Sequence, residues 1–287
     1  MPAMSGADDA RHNNIGGVRF IDKFEEDFSM HLSGHTILIT GASTGIGLAF
    51  AVKFLELGNE VIITGRRQAV LDQAKSLHPG LHTIQSDVSD PDQIAALAVR
   101  VKEEFSTLDV LFNNAGVALT KNLRSPDSDL AGMLAEMDTN FGGVVRMTSA
   151  FIDILKANRG TIINSSSALA FVPLPAMPIY CATKAAVHSY TQSLRFQLED
   201  AGVKVIELMP PAVRTDLTSD FPESGIKMIS TEELVRRTLA AMRSGKLEIR
   251  PGQSNLLALL RRIAPDFINR QIWNASKAMV PADVPAA

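Results

Sequence analysis

Ile37-Leu38-Ile39-Thr40-Gly41-Ala42-Ser43-Thr44-Gly45-Ile46-Gly47 is a short apolar run that enters a glycine-rich turn, after which Leu48, Ala51, Phe54 and Leu55 recur at helical spacing. An unbroken apolar run suits a parallel strand buried on both faces. The change from strand to helix period across the turn marks the start of a strand-helix-strand unit. Gly41 allows the tight turn, Gly45 lets backbone approach a ligand, and Gly47 lets the helix close onto the strand. A helix that starts here offers unpaired N–H groups and a positive dipole end, which suit a pyrophosphate. Gly41, Ser43, Thr44, Gly45, Ile46 and Gly47 are therefore candidate nucleotide contacts.

The same alternation continues along the chain. Glu60-Val61-Ile62-Ile63-Thr64 reads as a second strand and ends at Gly65-Arg66-Arg67. A carboxylate is expected at that place when a ribose 2′-hydroxyl is the target, and none is present. Arg66 offers a planar charged fork suited to a 2′-phosphate instead, so NADP(H) is favoured, with NAD(H) as the alternative. His82 to Gln85 is a third strand leading to Ser86-Asp87-Val88, and helix signals run from Pro91 to Phe105. Leu108 to Phe112 is a fourth strand ending in Asn113-Asn114-Ala115-Gly116, and the long helix expected after it carries Asn140. A buried strand around Ile162 ends in Asn164-Ser165-Ser166-Ser167. Val203 to Leu208 and Leu247 to Arg250 complete the strands, with a helix from Thr231 to Arg243 between them. The fold class is α/β: one doubly wound Rossmann-type domain, with seven parallel strands in the order 3-2-1-4-5-6-7 and helices on both faces.

After the serine-rich strand end, a proline-rich loop leads to a helix opening with Tyr180-Cys181-Ala182-Thr183-Lys184. Residues four apart stand on one helical face. A phenol with a pKa near 10 is a poor proton carrier at neutral pH. An ammonium held ~4 Å away is worth roughly 4 kcal/mol at an effective dielectric of 20, enough to lower the phenol by about three units. Tyr180 is therefore expected to titrate near neutrality.

Ser167, thirteen residues before Tyr180, completes a Ser-x12-Tyr-x-x-x-Lys pattern that resembles the active site of the short-chain dehydrogenase/reductase family. The turn at 41–47 and the tetrapeptide 113–116 resemble that family's cofactor motifs. The resemblance covers residues 36 to about 250. It implies hydride transfer between C4 of a nicotinamide and a carbonyl or secondary-alcohol carbon. Tyr180 would exchange the proton and Ser167 would hydrogen-bond the reacting oxygen. Lys184 would support both tyrosine and cofactor, and Asn140 would hold a water in the proton relay. The resemblance also implies an adenine contact at Asp87 and Val88, room for the ribose at Asn114, Ala115 and Gly116, and a nicotinamide contact by Thr215, with Pro210 and Val213 beside it. Pro211 departs from the family's usual glycine, which puts the backbone path there in question. Within the family, Met209-Pro210-Pro211 and Glu248-Ile249-Arg250-Pro251-Gly252 resemble bacterial oxidoreductases associated with the D-alanyl-lipoteichoic acid operon.

Three segments are expected: a polar extension over 1–29, a dehydrogenase domain over 30–252 with a substrate lid over 212–232, and a helical tail over 253–287. Phe20, Phe24 and Phe28 could form a docking stripe in the extension, and Leu217, Phe221, Ile226 and Met228 are candidate apolar contacts of the lid. The tail mixes basic and apolar residues and is expected to pack across a subunit interface or over the pocket rather than on a membrane. The 287 residues are 46% apolar with net charge -3, which gives no electrostatic case for nucleic acid. The single cysteine, Cys181, excludes an intrachain disulfide. His78 and His82 are separated by Pro79-Gly80, and no metal is expected. Without an apolar run long enough for a signal or a bilayer span, a cytoplasmic homo-oligomer is expected, acting on a small carbonyl or alcohol. The loop Leu169 to Met177 makes the expected pocket apolar. The competing reading is a nucleotide-sensing protein of the same fold without turnover.

Overall fold

Successive residues of the first strand bury into opposite cores. A computed structural model describes residues 30–125, 129–218 and 228–282. In β1 (Thr36–Ile39), Ile37 and Ile39 join one apolar cluster and Leu38 the other. The same split recurs in β2 (Glu60–Gly65), where Val61 and Ile63 oppose Ile62, and in β4 (Leu108–Asn113), where Val110 and Phe112 oppose Leu111. A side-chain period of two combined with apolar residues at every position requires cover on both faces.

The remaining strands are β3 (His82–Gln85), β5 (Thr161–Ser165), β6 (Lys204–Leu208) and β7 (Glu248–Ile249). All seven are parallel, in the order β3-β2-β1-β4-β5-β6-β7, as the alternation predicts. One face is covered by α1 (Gly45–Glu56), α2 (Gln68–Leu77) and α7 (Thr231–Arg243), through Phe50, Phe54, Leu71, Leu234 and Leu239. The other is covered by α3 (Pro91–Glu104), α5 (Gly143–Ala157) and α6 (Pro178–Gln197), through Ile94, Leu97, Met147, Phe151 and Leu194. Asp90 caps α3 by accepting from Asp92 and Gln93 N–H ahead of the proline at the first turn.

The long helix expected after β4 is instead two. α4 (Leu130–Met137) and α5 are joined by a π turn, Asp138–Gly142, which contains Asn140. One extra residue in the turn changes which side chains face inward, and such turns gather at functional sites. Gly143 follows, and a Cβ there would stand 2.7 Å from Val88 Cγ2, so α5 presses directly on the loop after β3. The tail is helical, with α8 (Ser254–Ile263) and α9 (Pro265–Ser276). Met30 and Leu32 are buried, and Met30 N–H donates to the Met242 carbonyl. The Phe20, Phe24 and Phe28 stripe lies outside the described residues.

Buried amides fix the strand ends that carry the site. Asn113 Nδ2 donates to Asn164 Oδ1 at 2.9 Å, and Asn164 Nδ2 donates to Thr191 Oγ1 of α6 at 3.0 Å. β4, β5 and α6 are thereby tied together where solvent does not reach. Removing the middle member strands a donor and an acceptor, so Asn164→Ala is expected to lower unfolding free energy by about 2–4 kcal/mol. Chemical denaturation at pH 7 measures it, and a loss below about 1 kcal/mol means that the network does not hold the strand ends.

Candidate active site

The C-terminal ends of β1, β4, β5 and β6 converge where the strand order reverses, the place where open α/β sheets bind ligands. Thr40 Oγ1 accepts from Asn114 and Ala115 N–H, both at 3.0 Å, while Asn114 Nδ2 donates back to the carbonyls of Thr40 and Gly41. This clamp shapes the glycine turn. Gly41 and Gly45 take φ +61° and +60°, and a Cβ on Gly41 would stand 2.6 Å from Ala115 Cα. A Cβ on Gly47 would meet Asn114 Nδ2 at 2.5 Å. Thr44 precedes α1 without a side-chain cap, and the first turn holds no acid, which leaves N–H groups for an anion.

Two cavities flank this turn. The smaller, about 170 Å³, is lined by Gly41, Ser43, Gly65, Arg66, Arg67, Ser86, Asp87, Val88, Ala115, Gly116, Val117 and Thr139. Arg66 and Arg67 are exposed. Asp87, the one acid, already accepts from Ser89 N–H and Oγ. Ser86 Oγ is buried without a protein partner, as suits a group meant for a ligand. The glycine cradle, the uncapped helix start and this orphaned hydroxyl all fit a dinucleotide.

The larger cavity, about 430 Å³, contains Ser167, Tyr180 and Lys184 together with Ile46, Asn114, Pro210, Pro211, Val213 and Thr215. Thr215 stands over the turn, its Cγ2 3.6 Å from where a Cβ on Gly45 would be. Lys184 Nζ is buried and donates to the Ser165 carbonyl at 2.8 Å, 5.6 Å from the centre of the Tyr180 ring. Ser167 Oγ accepts from Leu169 N–H. Asn140 is buried and reaches the site by bracing it. Its Oδ1 accepts from Val117 N–H at 2.8 Å, and its Nδ2 donates to the Val117 carbonyl and to Thr183 Oγ1. Between Asn140 and Lys184 lies Gly116, where a Cβ would stand 3.3 Å from Asn140 Oδ1 and 3.6 Å from Lys184 Nζ.

The electrostatics correct one expectation. Tyr180 does not approach neutrality in the protein alone: burial pushes its phenol up to about 12, although a hydrogen bond with Ser167 acts the other way. Loss of hydration lowers the Lys184 ammonium to about 8. Tyr180 keeps part of its surface toward the cavity, yet its ring sits deep enough for desolvation to outweigh the Ser167 hydrogen bond. The lysine faces the Ser165 carbonyl and the ring.

Two features escaped the sequence reading. Glu207 on β6 is fully buried, takes the Ser166 hydroxyl, and accepts from His188 Nδ1 of α6 at 2.9 Å, which raises His188 above its ordinary pKa. Tyr180, Lys184 and His188 stand on one stripe of α6, and a lone Glu in the apolar run of β6 is the sequence signal for the third. Glu136 is also buried, with Oε1 on Leu119 N–H and its carboxyl raised by burial. Gln253, Leu257, Gln271, Ile272 and Ala275 line the larger cavity, so of the two placements expected for the tail the described residues show the one over the pocket. Leu217 and Met228 also line it, while Phe221 and Ile226 lie outside the described residues. Among the described residues no cluster of His, Cys, Asp and Glu could hold a metal, and no helix is long and apolar enough to cross a membrane.

A family model for short chain dehydrogenase matches residues 35–224. An oxidoreductase of Bacillus subtilis (strain 168) named DltE, itself uncharacterized, is 42% identical over 77% of this chain and 89% of its own length. A short chain dehydrogenase of Burkholderia cenocepacia J2315 solved in complex with NADP aligns with TM-score 0.75 and 28% identity over 85% of this chain and 99% of that one. A relative from Burkholderia phymatum in complex with NAD aligns with TM-score 0.70 and 25% identity over 83% and 96%. The chain therefore belongs to the short-chain dehydrogenase/reductase family and is an oxidoreductase that uses a nicotinamide cofactor to interconvert a carbonyl and an alcohol.

Proposed function

We propose that the protein is an NADP(H)-dependent oxidoreductase of apolar carbonyls or secondary alcohols, with Tyr180 as the general acid and base. The observation that carries this is the meeting of Ser167, Tyr180 and Lys184 at one end of a largely apolar 430 Å³ cavity. The cofactor, when bound, supplies or accepts hydride at its nicotinamide C4 and, when oxidised, brings a positive charge into the site. Ser167 orients the reacting oxygen and Tyr180 hands it a proton or removes one. Lys184 holds positive charge beside the phenol and reaches the nicotinamide ribose. Asn140, with its amide committed to Val117 and Thr183, acts by fixing Gly116 beside Lys184 and by positioning the water of the relay. Residues 30–252 are read as the catalytic unit, with α8 and α9 completing the pocket and 1–29 dispensable; of the expected lid 212–232, residues 219–227 lie outside the described residues. We assign the pyrophosphate to the turn Gly41–Gly47, the adenine to Asp87 and Val88, and the ribose to Asn114–Gly116. The nicotinamide goes to Pro210, Val213 and Thr215.

Tyr180→Phe keeps the ring and removes the proton. Turnover is expected to fall by about 10²–10⁴-fold, with the NADPH dissociation constant within a few fold of wild type. Steady-state rates and NADPH fluorescence check both, and wild-type turnover in the variant removes the mechanism.

The second expectation concerns Lys184, whose pKa in the folded protein is depressed. The unfolded chain binds the additional proton between about 8 and the ordinary lysine value of 10.5, so the penalty is complete below 8 and fades as pH rises through that window. At about 1.4 kcal/mol per unit, Lys184→Met is expected to add roughly 1–3 kcal/mol of stability at pH 7. The gain shrinks toward pH 10 while activity is lost. Denaturation at pH 7 and 9.5 reads the difference, and a variant less stable than wild type at pH 7 contradicts the costly burial.

For cofactor choice, Gly65 and Arg66 line the smaller cavity, and Asp87 is already satisfied by Ser89. A guanidinium-phosphate contact of about 1.5–3 kcal/mol corresponds to about ten- to a hundredfold tighter binding of NADP(H) than of NAD(H). The double change Gly65→Asp with Arg66→Ile is expected to invert that ratio. Equal affinities in wild type, measured by fluorescence titration, sink the preference.

A further inference from the structure

The walls of the larger cavity restrict the charge of what fills it, and this deepens the proposed oxidoreductase reading on which it rests. Among the described lining residues Lys184 alone carries a charge, and its ammonium is already held by the Ser165 carbonyl. The body of the cavity is Leu169, Leu174, Met177, Met228, Leu257 and Ile272. Leu174 and Met177 are buried and pack with Met279 of the tail in a separate apolar cluster, so this wall is a built part of the fold. The polar groups sit in two places. Ser167 and Lys184 are buried at the reacting end, whereas Gln253, before α8, and Gln271, in α9, are exposed to solvent. Neither glutamine amide is bonded to another described residue, so both are available to a ligand.

A carboxylate, phosphate or sulfonate entering such a cavity loses hydration without gaining a further counter-charge from the described lining residues. A side-chain amide offers both a donor and an acceptor, which matches a neutral amide, ester or hydroxyl group. We propose that the substrates are uncharged ketones and secondary alcohols with an apolar body and one neutral hydrogen-bonding group, and that Gln253 and Gln271 read this group at the mouth. The two tail helices thus supply specificity residues that lie outside the matched family segment.

The test uses the full chain with NADPH and three probes that share one ketone: ethyl 5-oxohexanoate, 5-oxohexanamide and 5-oxohexanoate. kcat/KM is measured for each, and binding to the NADPH complex is followed by calorimetry. The ester and the amide are expected to exceed the acid by about a hundredfold in kcat/KM. Gln271→Arg, an exposed change that the fold tolerates, is expected to raise the acid at least tenfold, and Gln271→Leu to lower the amide more than the ester. Equal or better use of the acid by wild type overturns the proposal and leaves the oxidoreductase reading standing. Preferential binding of the neutral probes without turnover of any sustains the proposal and counts against the oxidoreductase reading. A site that neither binds nor reduces any of the three overturns the proposal.

Discussion

An ammonium buried against one backbone carbonyl is the constraint around which this end of the molecule is built. Lys184 holds its position by donating to Ser165 at 2.8 Å, and hydration is replaced by little else. That arrangement needs the end of β5 to be rigid, and the chain supplies the rigidity through side chains. Asn164 ties β5 to β4 and α6, and Ser166 ties the next residue to buried Glu207 and through it to His188. Gly116 leaves room at this junction, since a Cβ there would crowd Asn140 Oδ1 at 3.3 Å and come into contact with Lys184 Nζ at 3.6 Å. The cost of the buried charge is thus borne by a network that also fixes where a substrate oxygen and a cofactor can meet.

The two cavities divide the recognition between them. The smaller is polar and shaped by backbone, with glycines where a Cβ would collide and Ser86 Oγ left without a partner. The larger is apolar and shaped by side chains, several from a tail beyond the sheet. Sheet and turn line the smaller cavity, whereas the larger one is walled by the loop after β5, by Ala212, Val213, Leu217 and Met228, and by α8 with α9. A fold that separates these tasks can keep its chemistry while its substrates change.

Much of the sheet was legible in the sequence because a strand buried on both faces has no polar position to confuse the pattern. The runs at 60–64 and 108–112 differ from β2 and β4 by one residue at one end, and the run at 37–40 is offset from β1 by one residue at each end. Ser167, Tyr180 and Lys184 were legible by spacing, and the structure brings them to one cavity. The π turn at 138–142 was not, since one inserted residue leaves the apolar period of the flanking helices almost unchanged. Nor was the direction of the Tyr180 shift. Spacing says that a lysine lies one turn away, but it carries no information on hydration, and hydration dominates here. The Ser166, Glu207 and His188 contacts join three elements far apart in the chain, and only the register of β5 with β6 reveals them.

The central claim is that Tyr180 is an ordinary buried phenol in the protein alone and becomes a proton carrier only when the site is completed. The chain has two tyrosines, Tyr180 and Tyr190, so labelling both with ¹³C at Cζ gives two resonances that Tyr180→Phe assigns. Titration of the free protein is expected to leave Tyr180 protonated through pH 10, consistent with a pKa raised to about 12. With saturating oxidised NADP⁺ the same resonance is expected to begin titrating at lower pH. A Tyr180 signal that titrates near pH 7 in the free protein, or one that does not respond to the oxidised cofactor, contradicts the account.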